Sequence, residues 1–318
     1  MGIRMRLLLL AVMLVAPIAV SRADEKFYRI GELEPSSQSA EFTHRWTMPE
    51  LAKLGFSEGS NLVIDERVGN AATLAEMAKQ LVALKPDVIL AVGPEALLAA
   101  RQATSTVPIV IFGPDPVSFG LAASLAHPGS NITGVVILAA ELDGKRVEKL
   151  HETVPSAQRV AALLVPPSPG SERKMLAAAL NAGVELRVYE VTGPDEYAAS
   201  FAKMREDGAQ ALAITGNPML YRDGERLAKL ALDAGLPTAC EWAEMAGSGC
   251  LFGYGPDRAE LRRRVAYYVA RIFGGSARGD LPLEQPSHYE FAINLKIAKA
   301  LGLTIPQSIL AGADEAIE

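Results

Sequence analysis

Short runs of β-branched and aliphatic residues recur along this chain, separated by amphipathic stretches long enough to be helices. The runs are Tyr28–Leu33, Leu62–Arg67, Val88–Val92, Pro108–Phe112, Ile132–Ile137, Val160–Val165, Leu186–Val191, Ala211–Thr215, Pro237–Glu241 and Leu251–Tyr254. Several, such as VILAV and PIVIF, are apolar at every position rather than at every second one. A strand of that kind is covered on both faces, as in a parallel sheet flanked by helices. Repeated strand–helix–strand units imply right-handed crossovers and a doubly wound α/β fold.

The helical stretches have legible ends. Thr73-Leu74-Ala75-Glu76 reads as a capping box, with Leu74, Met77, Ala78, Leu81 and Leu84 on one face. Ser171 is expected to cap a helix ending at Gly183, and Asp195-Glu196 to start one ending at Gly208, because glycine takes the left-handed conformation past a helix end cheaply. Ten strands are many for one open twisted sheet, and the pattern repeats over residues 28–137 and 141–254, so two sheets of about five strands are expected. The helix candidate Asp257 to Phe273 is expected to return to the first unit. The expected division is lobe 1 at residues 24–137 plus about 257–287, and lobe 2 at 138–256 plus about 288–318.

Before this pattern begins, Arg4 and Arg6 precede the apolar run Leu7 to Val20, and Ser21-Arg22-Ala23 offers small residues at the positions flanking a cut. This is the layout of a secretory signal peptide (residues 1–23), too short for a membrane span, with a mature chain starting at Asp24 and bound for the periplasm. The net charge of −6 argues against a nucleic-acid partner. Cys240 and Cys250 could pair in an oxidising compartment. Placed at the end of one parallel strand and the start of the next, they are expected to lie too far apart and to remain buried thiols.

Catalytic motifs are absent: no GxSxG, HExxH or Walker A pattern occurs. Gly253-Tyr254-Gly255 is the best dinucleotide-like fragment, but Arg258 stands where the third glycine belongs. His44, His127, His151 and His288 are scattered without ligand spacing, so neither a metal nor a cofactor is expected. What remains is a set of polar residues after strand ends, where open α/β sheets bind ligands. Asp115 and Asn217 precede Pro116 and Pro218, and Pro94 follows Gly93, as if each proline opened a helix. Asp115 and Asn217 can therefore be N-caps, ligand contacts, or both. Trp242 and Tyr254 can be core residues or rings lining a cleft.

The segments LGFSEGSNLVIDER (54–67), PIVIFGPDPVSFGLAASLAHPGSNITGV (108–135), CEWAEMAGSGCLFGYG (240–255) and FAINLKIAKALGLTIPQSILAGADEAIE (291–318) together resemble the tryptophan/aromatic-amino-acid-type family of ABC transporter substrate-binding proteins. The resemblance covers nearly all of the mature chain. It implies a type I periplasmic-binding fold: two parallel-sheet lobes joined by three crossings, with a small molecule held between them. It implies ligand-facing roles for Ser36, Ser37, Gly93, Asp115, Asn217, Glu241 and Tyr254, to which the strand-end reading adds Trp242. It further implies a monomeric carrier that performs no chemistry and delivers an amino acid or other aromatic or carboxylate-bearing solute to an ABC permease. An exported enzyme and a sensory ligand-binding module are the alternatives.

Overall fold

The computed structural model describes residues 26–276 and 281–318. The export segment at 1–23 and the cut before Asp24 lie outside them. Thirteen strands form among the described residues: β1 (Tyr28–Glu34), β2 (Leu62–Val68), β3 (Val88–Val92), β4 (Ile109–Gly113), β5 (Ile132–Val136), β6 (Arg159–Leu164), β7 (Glu185–Glu190), β8 (Ala211–Ile214), β9 (Thr238–Cys240), β10 (Phe252–Pro256), β11 (Leu283–Glu284), β12 (Tyr289–Asn294) and β13 (Glu315–Ile317). One sheet runs β11-β5-β4-β3-β1-β2 and the other β13-β12-β10-β9-β8-β6-β7. This is a type I periplasmic-binding architecture of two α/β lobes.

Alternate residues of the first sheet enter different cores. Ile30, Val88, Leu90, Val110 and Phe112 join one apolar cluster, while Leu33, Ile89, Ala91, Ile109 and Ile111 join another. Strands sandwiched this way can be apolar throughout, which is why VILAV and PIVIF carry no alternation. The helix Arg258–Phe273, capped by Asp257 accepting from Glu260 N at 2.8 Å, packs on β4 and β5. β11 then pairs with β5, and β12 with β10. The described chain thus passes between the sheets three times: after β5, after β10 and after β11.

Several local expectations need correction. The second sheet is not wholly parallel, because β12 runs antiparallel to β10. Thr73 does not close a capping box: its Oγ1 accepts from Asn70 N at 3.0 Å in a preceding turn. Ser171 is the first helical residue, with Gly170 at the cap position at φ 86. Asp195 and Glu196 form a 3-10 turn ahead of the helix Tyr197–Glu206. Gly183 and Gly208 do end their helices with positive φ, at 72 and 70. No helix follows Pro116, and residues 115–123 form turns instead. The Gly-Tyr-Gly fragment does not form a glycine-rich loop. It is the strand β10, where a Cβ at Gly253 or Gly255 would collide with the carbonyls of Trp242 and Glu241.

Cys240 and Cys250 form a disulfide, with Cα atoms 6.3 Å apart, and the expectation of free thiols is overturned. The reason is that Cys250 does not continue β10: the chain bends at Leu251, ahead of that strand, and leaves the strand register. Leu251 N donates to Thr238 Oγ1 at 3.0 Å, which holds the returning chain beside β9. The bridge closes a loop between residues ten apart that carries Glu241 and Trp242. Loop-closure entropy makes it worth about 3 kcal/mol. The double variant Cys240→Ala/Cys250→Ala is expected to lose that much in urea-unfolding experiments against the oxidised parent.

Candidate functional site

The carboxyl ends of both sheets face one cavity of about 450 Å³, within the range of about 300–1,000 Å³ common for small-molecule sites. Ser36, Gly93, Asp115, Asn217, Glu241 and Trp242 line it. Ser37 and Tyr254 do not. Ser37 is an exposed first-turn residue, while Ser36 supplies the cap, accepting from Ser39 N at 3.2 Å. Tyr254 lies on the opposite side of β10 from its two glycines. It stacks on Tyr289 with ring centroids 6.0 Å apart, under Lys149 Nζ at 5.0 Å.

The first lobe contributes two turns. Gly93 opens the helix Gly93–Ala103 directly from β3 at φ 81, a conformation that costs an L-residue about 1–2 kcal/mol. Its Cα faces Pro218 of the other lobe closely, so an added Cβ would sit 3.1 Å from Pro218 Cγ. Asn217 of that lobe stands beside Glu95 across the same gap. These contacts describe a shut cleft. Asp115 Oδ1 accepts from Val117 N at 2.9 Å, and its carbonyl accepts from Ser118 Oγ at 2.7 Å. It closes a turn rather than capping a helix. Burial raises its carboxyl above the usual range, with the bond from the Val117 N–H opposing. Asn217 is a true cap, accepting from Met219 N at 2.7 Å ahead of Pro218.

In the second lobe a buried ion pair sets the strand ends. Arg146 donates to Asp143 Oδ1 at 2.8 Å, to the Glu241 carbonyl at 3.0 Å and to the Tyr254 carbonyl at 2.8 Å. Asp143 Oδ1 also accepts from Gly216 N at 3.1 Å. One guanidinium and its partner thereby fix the ends of β8, β9 and β10. Glu241 stands on this platform at 5% exposure with its carboxyl turned to the cavity. Burial pushes its pKa up to about 7, against the pull of Arg146.

The sequence reading missed the two cations of the site. Arg258 and Arg262, one turn apart on the helix Arg258–Phe273, line the cavity at 8% and 3% exposure. Arg258 donates to Tyr221 Oη at 2.7 Å, pairs with Glu244, and lies 4.0–5.2 Å from the ring centres of Phe42, Tyr221 and Trp242. Arg262 donates to Thr43 Oγ1 and, at 3.0 Å, to Ser39 Oγ. It lies 3.6 Å from Glu34 and faces the Phe112 ring. Each keeps a buried Nε–H without a partner. The i, i+4 spacing behind an Asp cap was the available signal.

Two α/β lobes closed on a cavity at their strand ends define a two-lobed solute-binding protein. The family model described as ABC transporter substrate binding protein matches residues 47–317, and the chain belongs to that family. A protein of Clostridioides difficile named tyrosine-binding protein is 24% identical over 260 residues, covering 80% of this chain and 74% of that protein. A Streptococcus pneumoniae ABC domain crystallised with L-Trp superposes with a TM-score of 0.84 at 24% identity, covering 92% of this chain and all of that one. A conserved domain protein of Vibrio cholerae superposes at 0.85, with the same identity and coverage.

Glu241 makes the ligand-free protein sensitive to pH. Its folded pKa, about 7, lies above the value in the unfolded chain, so the folded state holds a proton that the unfolded state has released. That stabilising difference is complete below about pH 4 and is lost as pH rises through 7. The Glu241→Gln variant is expected to lose less stability than the parent between pH 5 and 8. Parallel slopes in chemical unfolding would contradict this.

Proposed function

We propose that this protein captures a free aromatic amino acid in the extracytoplasmic space and hands it to an ABC permease without chemical change. The observation that carries the reading is the pairing, in one cavity, of unspent buried guanidinium N–H groups on Arg258 and Arg262 with the buried carboxyl of Glu241. An α-carboxylate meets the first, with charge-assisted bonds that are strong when desolvated. An ammonium meets Glu241 or Asp115. Phe42, Phe112, Phe119 and Trp242 offer a wall for an aromatic side chain. The tyrosine-binding relative and the tryptophan-bound streptococcal domain support an aromatic ligand. We read the protein as a monomer. The net charge of −6 supports the absence of a nucleic-acid partner.

A thermal-shift screen of the amino acids tests this. Tryptophan, tyrosine or phenylalanine is expected to give the largest rise in Tm. No shift with any of them, or turnover of the ligand by the protein, would overturn the proposal. Small-angle scattering is expected to show compaction on binding, because a ligand touching both lobes favours the closed state.

Asp115→Asn separates turn from ligand contact. Asn keeps the acceptor for Val117 N, so the Tm of the free protein is expected to stay unchanged while affinity falls about tenfold or more. Glu241 adds a pH dependence: affinity is expected to be about tenfold weaker at pH 6 than at pH 8, following its ionisation, and flat in Glu241→Gln. Calorimetric titration reads both.

A further inference from the structure

Beneath the cavity, on the outer half of the first lobe, three side chains converge that the solute site does not use. Glu32 on β1 and Glu66 on β2 are register partners in parallel strands, so their side chains rise side by side from one face of the sheet. His44 descends onto them from the segment Thr43–Thr47, a single wide turn in which Met48 N donates to Thr43 O. His44 Nε2 lies 2.9 Å from Glu66 Oε2 and 3.8 Å from Glu32 Oε2. One ligand atom from each residue falls within 4.8 Å of the other two.

The cluster leaves buried oxygens unpaired among the described residues. Glu32 is 0% exposed, and among the described residues neither of its carboxylate oxygens has a hydrogen-bond partner. Its buried neighbour is another carboxyl, that of Glu34, whose Oε1 is taken by Thr43 while Oε2 has no partner. Arg262, the cation on this face, stands 3.6 Å from Glu34 and spends its bonds on Thr43 and Ser39. A buried polar group without a hydrogen-bond partner is costly, and both oxygens of Glu32 are in that position among the described residues.

We propose that Glu32, His44 and Glu66 form a binding site for a divalent transition-metal cation of the Zn2+ class. One imidazole nitrogen and two carboxylate oxygens are a mixed donor set suited to such an ion, and three protein ligands leave a coordination position for water on the exposed side. The cation takes up the Glu32 oxygens that no hydrogen-bond donor of the described residues reaches. It also ties the wide turn to the sheet, immediately after the helix Ser37–Phe42 that carries Ser39 and Phe42 to the solute cavity. The site is separate from that cavity, since none of its three ligands lines it.

Calorimetric titration of the chelator-treated, full mature protein with ZnCl2, in the absence of amino acids, tests the proposal. One equivalent is expected to bind. His44→Ala and Glu66→Gln, both at partly exposed positions, are expected to weaken binding at least tenfold, and His127→Ala to leave it unchanged. Co2+ as a second probe is expected to show visible d–d absorption in the parent and to lose it in His44→Ala. Thermal melts without metal check that each variant is folded. Absence of stoichiometric Zn2+ binding to the parent overturns the proposal. Binding of unchanged affinity in folded His44→Ala also overturns it. Amino-acid affinity, measured separately, reads the solute site, so failure there leaves this result interpretable.

Discussion

The ion pair of Arg146 and Asp143 is the fixed point of the second lobe. Both side chains are 1% exposed, and the guanidinium spends its N–H groups on Asp143 and on two strand-end carbonyls. Burying a charge costs less when its donors find acceptors, and here the acceptors include the backbone at Glu241 and Tyr254. Removing one partner of such a pair costs about 3–5 kcal/mol, because the other is left uncompensated. The same geometry aims Glu241 and Trp242 at the cavity. The disulfide Cys240–Cys250 and the two glycines of β10 serve the same end: they let the chain that carries Glu241 and Trp242 press against its neighbouring strand.

The first lobe answers with cations carried on a helix that crosses between the lobes. Arg258 and Arg262 enter the site from the beginning of Arg258–Phe273, and they are held by groups on different elements. Arg258 sits among Phe42, Tyr221 and Trp242, drawn from both lobes. Arg262 is bound to Ser39 and Thr43, with Glu34 beneath. Guanidinium faces stack well on aromatic rings, and their edges remain free to donate. The unpartnered Nε–H groups are therefore ready for an anion at little cost in reorganisation.

The sequence by itself determined the lobed α/β architecture. Strands apolar at every position fit between two helical layers, and ten strands are many for one open sheet. It also pointed to Ser36, Gly93, Asp115, Asn217, Glu241 and Trp242, all of which line the cavity, because strand ends in such sheets are where ligands bind and strand ends are visible as local pattern.

Tertiary structure decided what depends on contacts between distant residues. Tyr254 turned away because residues of a strand alternate faces and the flanking glycines claimed the inner one. Cys240 reached Cys250 because the chain bends ahead of β10 and the Thr238 bond holds that bend beside β9. Arg258 and Arg262 became site residues only when their helix packed on β4 and β5 at the crossing between sheets. Glu32, His44 and Glu66 are 12 and 22 positions apart along the chain. The register of β1 with β2 and one wide helical turn bring them together, and no local spacing encodes that register.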